Sequence, residues 1–102
     1  MARFDVYRFP KQSVPLVVDV QAEILDQLAS RVVIPLVLVS LAREEALPRL
    51  KPILSIEGRD YLLMTTDISA LPISRLGERV TNIEDPYRDE ITKALDFLLT
   101  GF

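Results

Sequence analysis

Seven prolines punctuate this chain of 102 residues, and the apolar runs between them are short and rich in β-branched residues. Residues 4–8 mix apolar and polar side chains as a half-buried strand does, and residues 16–20 (LVVDV) form a second β-rich run. Two prolines bracket the polar residues between these runs, which predicts a loop over residues 10–15. A third run, residues 32–39, contains Pro35, which predicts a bend, a bulge or an edge position there.

The second half of the chain contains the best hairpin signal. Residues 53–56 and 61–64 are β-rich and flank a four-residue linker that contains Gly58. Residues 66–71 read as loosely helical, and residues 73–76 as a last short strand. Residues 23–31 are read as a loop or a helical turn, and residues 43–51 as an exposed loop.

The C-terminus carries the clearest helix. Asp85 suits the N-cap and Pro86 the first helical position. Apolar residues recur at spacings of four and three from Tyr87 onward, and Gly101 is placed to end the helix in a left-handed conformation. Several short strands followed by one helix predict a mainly β fold with α, built on an antiparallel sheet or a small barrel.

Composition limits the chemistry that the chain can perform. It has no cysteine and no histidine, so it lacks thiolate chemistry, the commonest general base and the commonest transition-metal ligand. We therefore expect no catalytic residue, no metal and no cofactor. The net charge of −3 argues against direct nucleic-acid binding, and no apolar run is long enough for a membrane span or a signal core, so we expect a cytoplasmic protein.

Four blocks of sequence, in order and at matching spacing, resemble the CcdB family. They are residues 18–21 (VDVQ) with 24–26 (ILD), residues 31–36 (RVVIPL), residues 64–67 (MTTD) with 71–74 (LPIS), and the apolar helix that ends in Gly101 and Phe102. The match covers essentially the whole chain. Each block alone is weak, and the specificity of the match lies in having all four in register.

The resemblance implies a single CcdB-like toxin domain over residues 1–102. It implies a small antiparallel SH3-like β barrel with a C-terminal α-helix, a fold shared with MazF-type ribonucleases, and a tight homodimer. It also implies a toxin of a type II toxin–antitoxin system that binds the DNA gyrase A subunit and traps the enzyme on cleaved DNA. The implied partners are gyrase and a CcdA-like antitoxin whose disordered tail folds on binding.

The family's gyrase-binding positions can be carried onto this chain residue by residue. They are Ile24, Leu25, Leu99, Thr100, Gly101 and Phe102. Thr100 stands where the best-known members have tryptophan, so an aromatic contact with the target would have to come from elsewhere, for example Phe102. The alternative reading treats Ile24, Leu25 and Leu99 as core residues and Gly101 as a helix stop only.

Two other functions stay open at the level of sequence. A MazF-like endoribonuclease would need Arg31 with Thr65 or Thr66 as its reactive groups, although the missing histidine weakens this reading. A degenerate homologue would keep the fold and the antitoxin but not gyrase poisoning, as the departure at Thr100 suggests. Arg31 is also predicted to neutralise a buried carboxylate, either Asp19 or Asp26, because a charge inside an apolar strand needs a partner.

Overall fold

The computed structural model describes residues 1–11 and 13–101. Seven strands lie at Asp5–Lys11 (β1), Val14–Asp19 (β2), Ser30–Leu38 (β3), Ile53–Ile56 (β4), Arg59–Leu63 (β5), Ser69–Pro72 (β6) and Arg79–Asn82 (β7). Two α-helices lie at Val39–Ala42 (α1) and Glu84–Thr100 (α2). Short 3-10 turns cover Glu23–Leu25, Arg43–Glu45, Thr65–Asp67 and Ile73–Arg75.

All strand pairs are antiparallel, in the order β4-β5-β3-β2-β1-β7, with β6 pairing the first half of β3. The sheet curls into a half-barrel beside α2, which confirms the prediction of a small antiparallel β barrel-like fold with a C-terminal helix. Ile91 and Ala94 of α2 are fully buried in the main core.

The central strands are buried on both faces. Val18 and Ile34 belong to the main core with α2, whereas their neighbours Val17 and Val33 belong to a second cluster with Tyr7 on the other face. Strands covered on both sides need no alternation of apolar and polar residues. This explains the continuous β-branched runs of the sequence.

Pro35 lies inside β3 rather than at an edge. Residues Ser30–Val33 pair with β6 and residues Leu36–Leu38 pair with β5, so Pro35 falls between the two partners. Its carbonyl oxygen accepts a hydrogen bond from Met64 N at 2.9 Å on that same side. A proline is tolerated there because no ladder hydrogen bond requires its missing N–H.

The predicted hairpin is confirmed, with a tighter turn than expected. Strands β4 and β5 are joined by Glu57 and Gly58, whose φ angles are 51° and 79°. Two positive φ angles are typical of the type I′ turn, whose twist matches that of antiparallel strands. The linker is therefore two residues long rather than four.

Several predicted boundaries were wrong. The loop over residues 10–15 is shorter, because β1 continues to Lys11 through an irregular register and β2 begins at Val14. Residues 69–72 form β6 instead of a loose helix, and Ile73–Arg75 forms a 3-10 turn instead of a strand. The last strand, Arg79–Asn82, lies further along and pairs with β1.

Helix α2 begins earlier than its sequence predicts. The side chain of Asn82, not Asp85, accepts a hydrogen bond from a first-turn amide, Glu84 N, at 3.0 Å. Pro86 still lies in the first turn, where an N–H has no helical partner to lose. The predicted end is confirmed, since Gly101 has φ 79° and donates its N–H to Phe97 O at 3.0 Å.

Candidate protein-binding surface

An exposed turn connects β2 to β3, and three large apolar side chains on it are exposed. Residues 22–30 are all exposed, with Ile24 90% and Leu25 46% accessible. Leu28 is also 51% exposed. Ile24 and Leu25 therefore lie outside the core, and the alternative reading that places them inside it is wrong.

A buried ion pair lies beside this turn, and its arginine is hydrogen-bonded to the turn. Arg31 and Asp19 are both 0% exposed, and Arg31 Nε lies 2.8 Å from Asp19 Oδ2. The other carboxylate oxygen, Oδ1, accepts a hydrogen bond from Gln21 N at 2.9 Å. Of the two partners predicted for Arg31, Asp19 is the right one, since Asp26 is exposed.

The end of α2 forms a second exposed apolar site. Leu99 is 75% exposed, so it does not pack against the sheet. Thr100 is exposed, and its hydroxyl donates a hydrogen bond to Asp96 O at 2.6 Å, which turns it back onto its own helix. Phe102, the last of the predicted contact residues, lies outside the described residues.

Leu99, Thr100 and Gly101 are thus brought together at one end of α2, whereas Ile24 and Leu25 belong to the β2–β3 turn. The turn is hydrogen-bonded to Gln21, to Arg31 and, through Ala29 O, to Ile73 N. The hydrogen bonds of the helix end run to residues of the helix itself.

Sequence reasoning missed a contact beside the helix end. The guanidinium of Arg49 lies over the Phe97 ring, with its carbon 4.3 Å from the ring centroid. Leu47, Pro48 and Leu50 line an almost wholly apolar pocket with these two residues. No spacing in the sequence relates residue 49 to residue 97, since only the packed fold brings the loop to the helix.

The buried carboxylate of Asp5 is the centre of a hydrogen-bonded cluster within the fold. Asp5 is buried and accepts hydrogen bonds from Ala2 N, Tyr7 Oη, Arg79 Nε and Asn82 Nδ2. Burial alone would raise the pKa of Asp5, but these hydrogen bonds, led by that of Asn82, hold it below its usual 3.8.

Tyr7 shares this environment. Burial, with the adjacent Asp5 carboxylate, raises the pKa of the Tyr7 phenol to about 12. The phenol therefore stays protonated and donates to Asp5 at neutral pH. These interactions tie β1 to β7 and to the N-terminal residues, so this cluster reads as structural.

Within the part of the chain that the structure describes, no group of three or more His, Cys, Asp or Glu residues converges as metal ligands would. Among the described residues, no helix is both long and apolar enough to cross a membrane. The described surface does carry exposed apolar side chains at the β2–β3 turn and at the end of α2, and such side chains commonly mark protein-binding sites.

Comparison with known protein families matches residues 3–101 to the family described as CcdB protein. The chain belongs to the CcdB family. Family membership supports a toxin of the CcdB type, in a family that acts as a gyrase poison rather than as a catalyst. The match spans nearly the whole chain, and it includes both the β2–β3 turn and the end of α2.

Proposed function

We propose that this protein binds the DNA gyrase A subunit and traps gyrase while it is covalently attached to cleaved DNA. The observation that carries the proposal is the CcdB family match over residues 3–101. The protein would act in the cytoplasm, where gyrase works, as a homodimer. A CcdA-like antitoxin would bind the toxin and block it.

The binding surface of the proposal consists of Ile24, Leu25, Leu99, Thr100, Gly101 and Phe102. This assignment is supported by the exposure of two large apolar side chains, Ile24 and Leu99, neither of which packs in the core. Apolar side chains that are exposed in the free protein and buried on binding commonly supply the energy of an interface.

The proposed mechanism consists of binding to gyrase and includes no catalytic step by the toxin. The chain has no histidine or cysteine, and the buried carboxylates of Asp5 and Asp19 are each hydrogen-bonded and paired with an arginine. A toxin that only holds gyrase in place needs no general base. It needs a rigid shape that fits one conformation of its target more tightly than the others.

Because position 100 is threonine, an aromatic contact with gyrase has to come from another residue of this protein. Its hydroxyl is bonded to Asp96 O, and threonine has no aromatic face to stack on a target arginine. We propose that Phe102 supplies the aromatic contact instead. Loss of binding in Phe102→Ala, with binding retained in Thr100→Ala, is the result expected from this assignment.

The direct test is a binding measurement by calorimetry between the purified protein and the gyrase A subunit of its host. Leu99→Ser and Ile24→Ser should each weaken binding about tenfold or more, because each removes an exposed apolar contact. Leu41→Ser is the matched control, since Leu41 is 67% exposed on α1 and lies outside the proposed surface.

All three variants should unfold at the wild-type urea concentration, because the substituted side chains are exposed. Wild-type affinity in both Leu99→Ser and Ile24→Ser would contradict the assigned surface. Absence of binding by the wild-type protein would contradict the function itself. RNA cleavage by the purified protein would then favour the ribonuclease alternative.

A further inference from the structure

The side-chain amide of Gln21 joins the exposed β2–β3 turn to the sheet. Its Oε1 accepts a hydrogen bond from Val32 N at 2.9 Å, and its Nε2 donates one to Leu25 O at 3.0 Å. A backbone N–H can only donate and a carbonyl can only accept, so the two partners fix the orientation of the amide. Gln21 is 8% exposed, which leaves it almost no surface for contact with another protein.

The carbonyl oxygen of Leu25 is the point where the support of the turn converges. Besides Gln21 Nε2, it accepts hydrogen bonds from Leu28 N at 3.2 Å and, at the longer distance of 3.5 Å, from Arg31 Nη1. The donors come from the start of the turn, its end and the buried ion pair. A shift of Leu25 would break contacts with all three.

Apart from Gln21 and Arg31, the turn is held by backbone hydrogen bonds, such as those from Leu25 N to Ala22 O and from Ile73 N to Ala29 O, and not by buried side chains. Its 3-10 segment Glu23–Leu25 is three residues long and buries none of its side chains. A segment without buried apolar contacts opens easily unless hydrogen bonds hold it. The conformation of residues 23–25 therefore depends on hydrogen bonds to its backbone, and the shortest from a side chain is that of Gln21.

We infer that Gln21 is a positioning residue for Ile24 and Leu25. It acts through the Leu25 carbonyl oxygen and does not touch the partner, and it holds the two apolar side chains in the orientation that the partner meets. This inference rests on the proposed function, since it deepens the account of the same gyrase-binding surface.

The variant that isolates this contact is Gln21→Glu. Glutamate keeps an oxygen for Val32 N–H but replaces the donor to Leu25 with a second acceptor, which repels the carbonyl. Gln21→Met removes both hydrogen bonds at similar side-chain length and serves as the second variant. Affinity for the gyrase A subunit should fall about fivefold or more in each, because both variants lose the neutral hydrogen bond to Leu25 O.

A double-mutant cycle with Ile24→Ala separates positioning from simple loss of stability. If Gln21 positions Ile24, then Ile24→Ala weakens binding less in the Gln21→Glu protein than in the wild type. Tyr87→Phe is the matched control, because it also removes one hydrogen bond, that of Ser55 N to the Tyr87 hydroxyl, but on α2 and β4. Tyr87→Phe should bind like the wild type.

Three outcomes overturn the inference. They are wild-type affinity in both Gln21 variants, losses that add independently in the cycle, and an equal loss of binding in Tyr87→Phe. A wild-type protein that does not bind gyrase contradicts the proposed function instead. In that case amide hydrogen exchange still tests positioning, since the Leu28 N–H should exchange faster in the Gln21 variants, and unchanged exchange would overturn it.

Discussion

Replacing Arg31 with methionine tests the buried ion pair beneath the β2–β3 turn. Arg31 and Asp19 are both fully buried, with Nε and Oδ2 2.8 Å apart. Methionine fills most of the space of the arginine stem but leaves the Asp19 carboxylate buried without its cation. Breaking a buried pair in this way costs about 3–5 kcal/mol, because the remaining carboxylate stays buried without a counter-charge.

The free energy of unfolding of a domain of this size is about 5–15 kcal/mol, so the substitution should remove a large share of it. With a urea dependence of about 1.5 kcal/mol per molar, the unfolding midpoint should fall by about 2–3 M. The chain has no tryptophan, so unfolding is best followed by far-ultraviolet circular dichroism at one fixed protein concentration.

Arg88→Met is the matched control. Arg88 is 62% exposed and lies 3.6 Å from Glu84 across one turn of α2, where a pair contributes about 0.3–0.5 kcal/mol. The double variant Arg31→Met with Asp19→Leu should recover part of the lost stability, because no charge stays buried. A loss in Arg31→Met no larger than in Arg88→Met would refute the reasoning.

Three further predictions concern stability. Tyr87→Phe should lower the free energy of unfolding by about 1 kcal/mol and speed amide exchange at Ser55, whose N–H on the outer edge of β4 donates to the Tyr87 hydroxyl at 2.8 Å; unchanged exchange at Ser55 would contradict this. Because the folded pKa of Asp5 lies below its unfolded value, its contribution to stability is present above about pH 4 and is lost as pH falls toward the folded pKa. Urea midpoints measured from pH 5 to pH 2 should therefore fall less steeply in Asp5→Asn than in the wild type, and equal slopes would argue against this account. Gly77→Ala should destabilise the protein by about 1–3 kcal/mol in urea unfolding, because its Cβ would lie 2.8 Å from the backbone oxygen of Arg8; a wild-type midpoint would show that the backbone yields easily there.

Sequence patterns predict the elements that are determined by residues close to one another in the chain. The β4–β5 hairpin follows from two β-rich runs around Gly58, and the end of α2 follows from Gly101, whose left-handed φ suits glycine. For Arg31 the sequence predicted two possible partners, Asp19 and Asp26, because a buried charge requires compensation, and the structure shows that the partner is Asp19.

The remaining elements depend on contacts between distant parts of the chain. Strand β7, Arg79–Asn82, contains one apolar residue, and it forms because β1 offers it a pairing edge. Strand β6 likewise forms on the free half of β3. Two contacts exist only in the folded chain: Arg49 stacks on Phe97, and Gln21 Nε2 donates a hydrogen bond to Leu25 O. Periodicity and spacing in the sequence do not predict either contact.

The candidate surface was predictable only through family resemblance. Composition and periodicity describe Ile24, Leu25 and Leu99 as apolar residues and fit a core position equally well. The structure removes that ambiguity by exposing all three. It does so because the turn projects beyond the sheet and Leu99 falls on the side of α2 away from the buried Ile91 and Ala94.

The central claim is that this protein traps gyrase on cleaved DNA, and a cleavage assay tests it most directly. The purified protein is incubated with the host's gyrase, ATP and supercoiled plasmid, and the mixture is then denatured and digested with protease. The account predicts linear DNA only when both proteins are present, and none with a protein that ends at Leu99. No linear DNA with active gyrase from the native host would contradict the account.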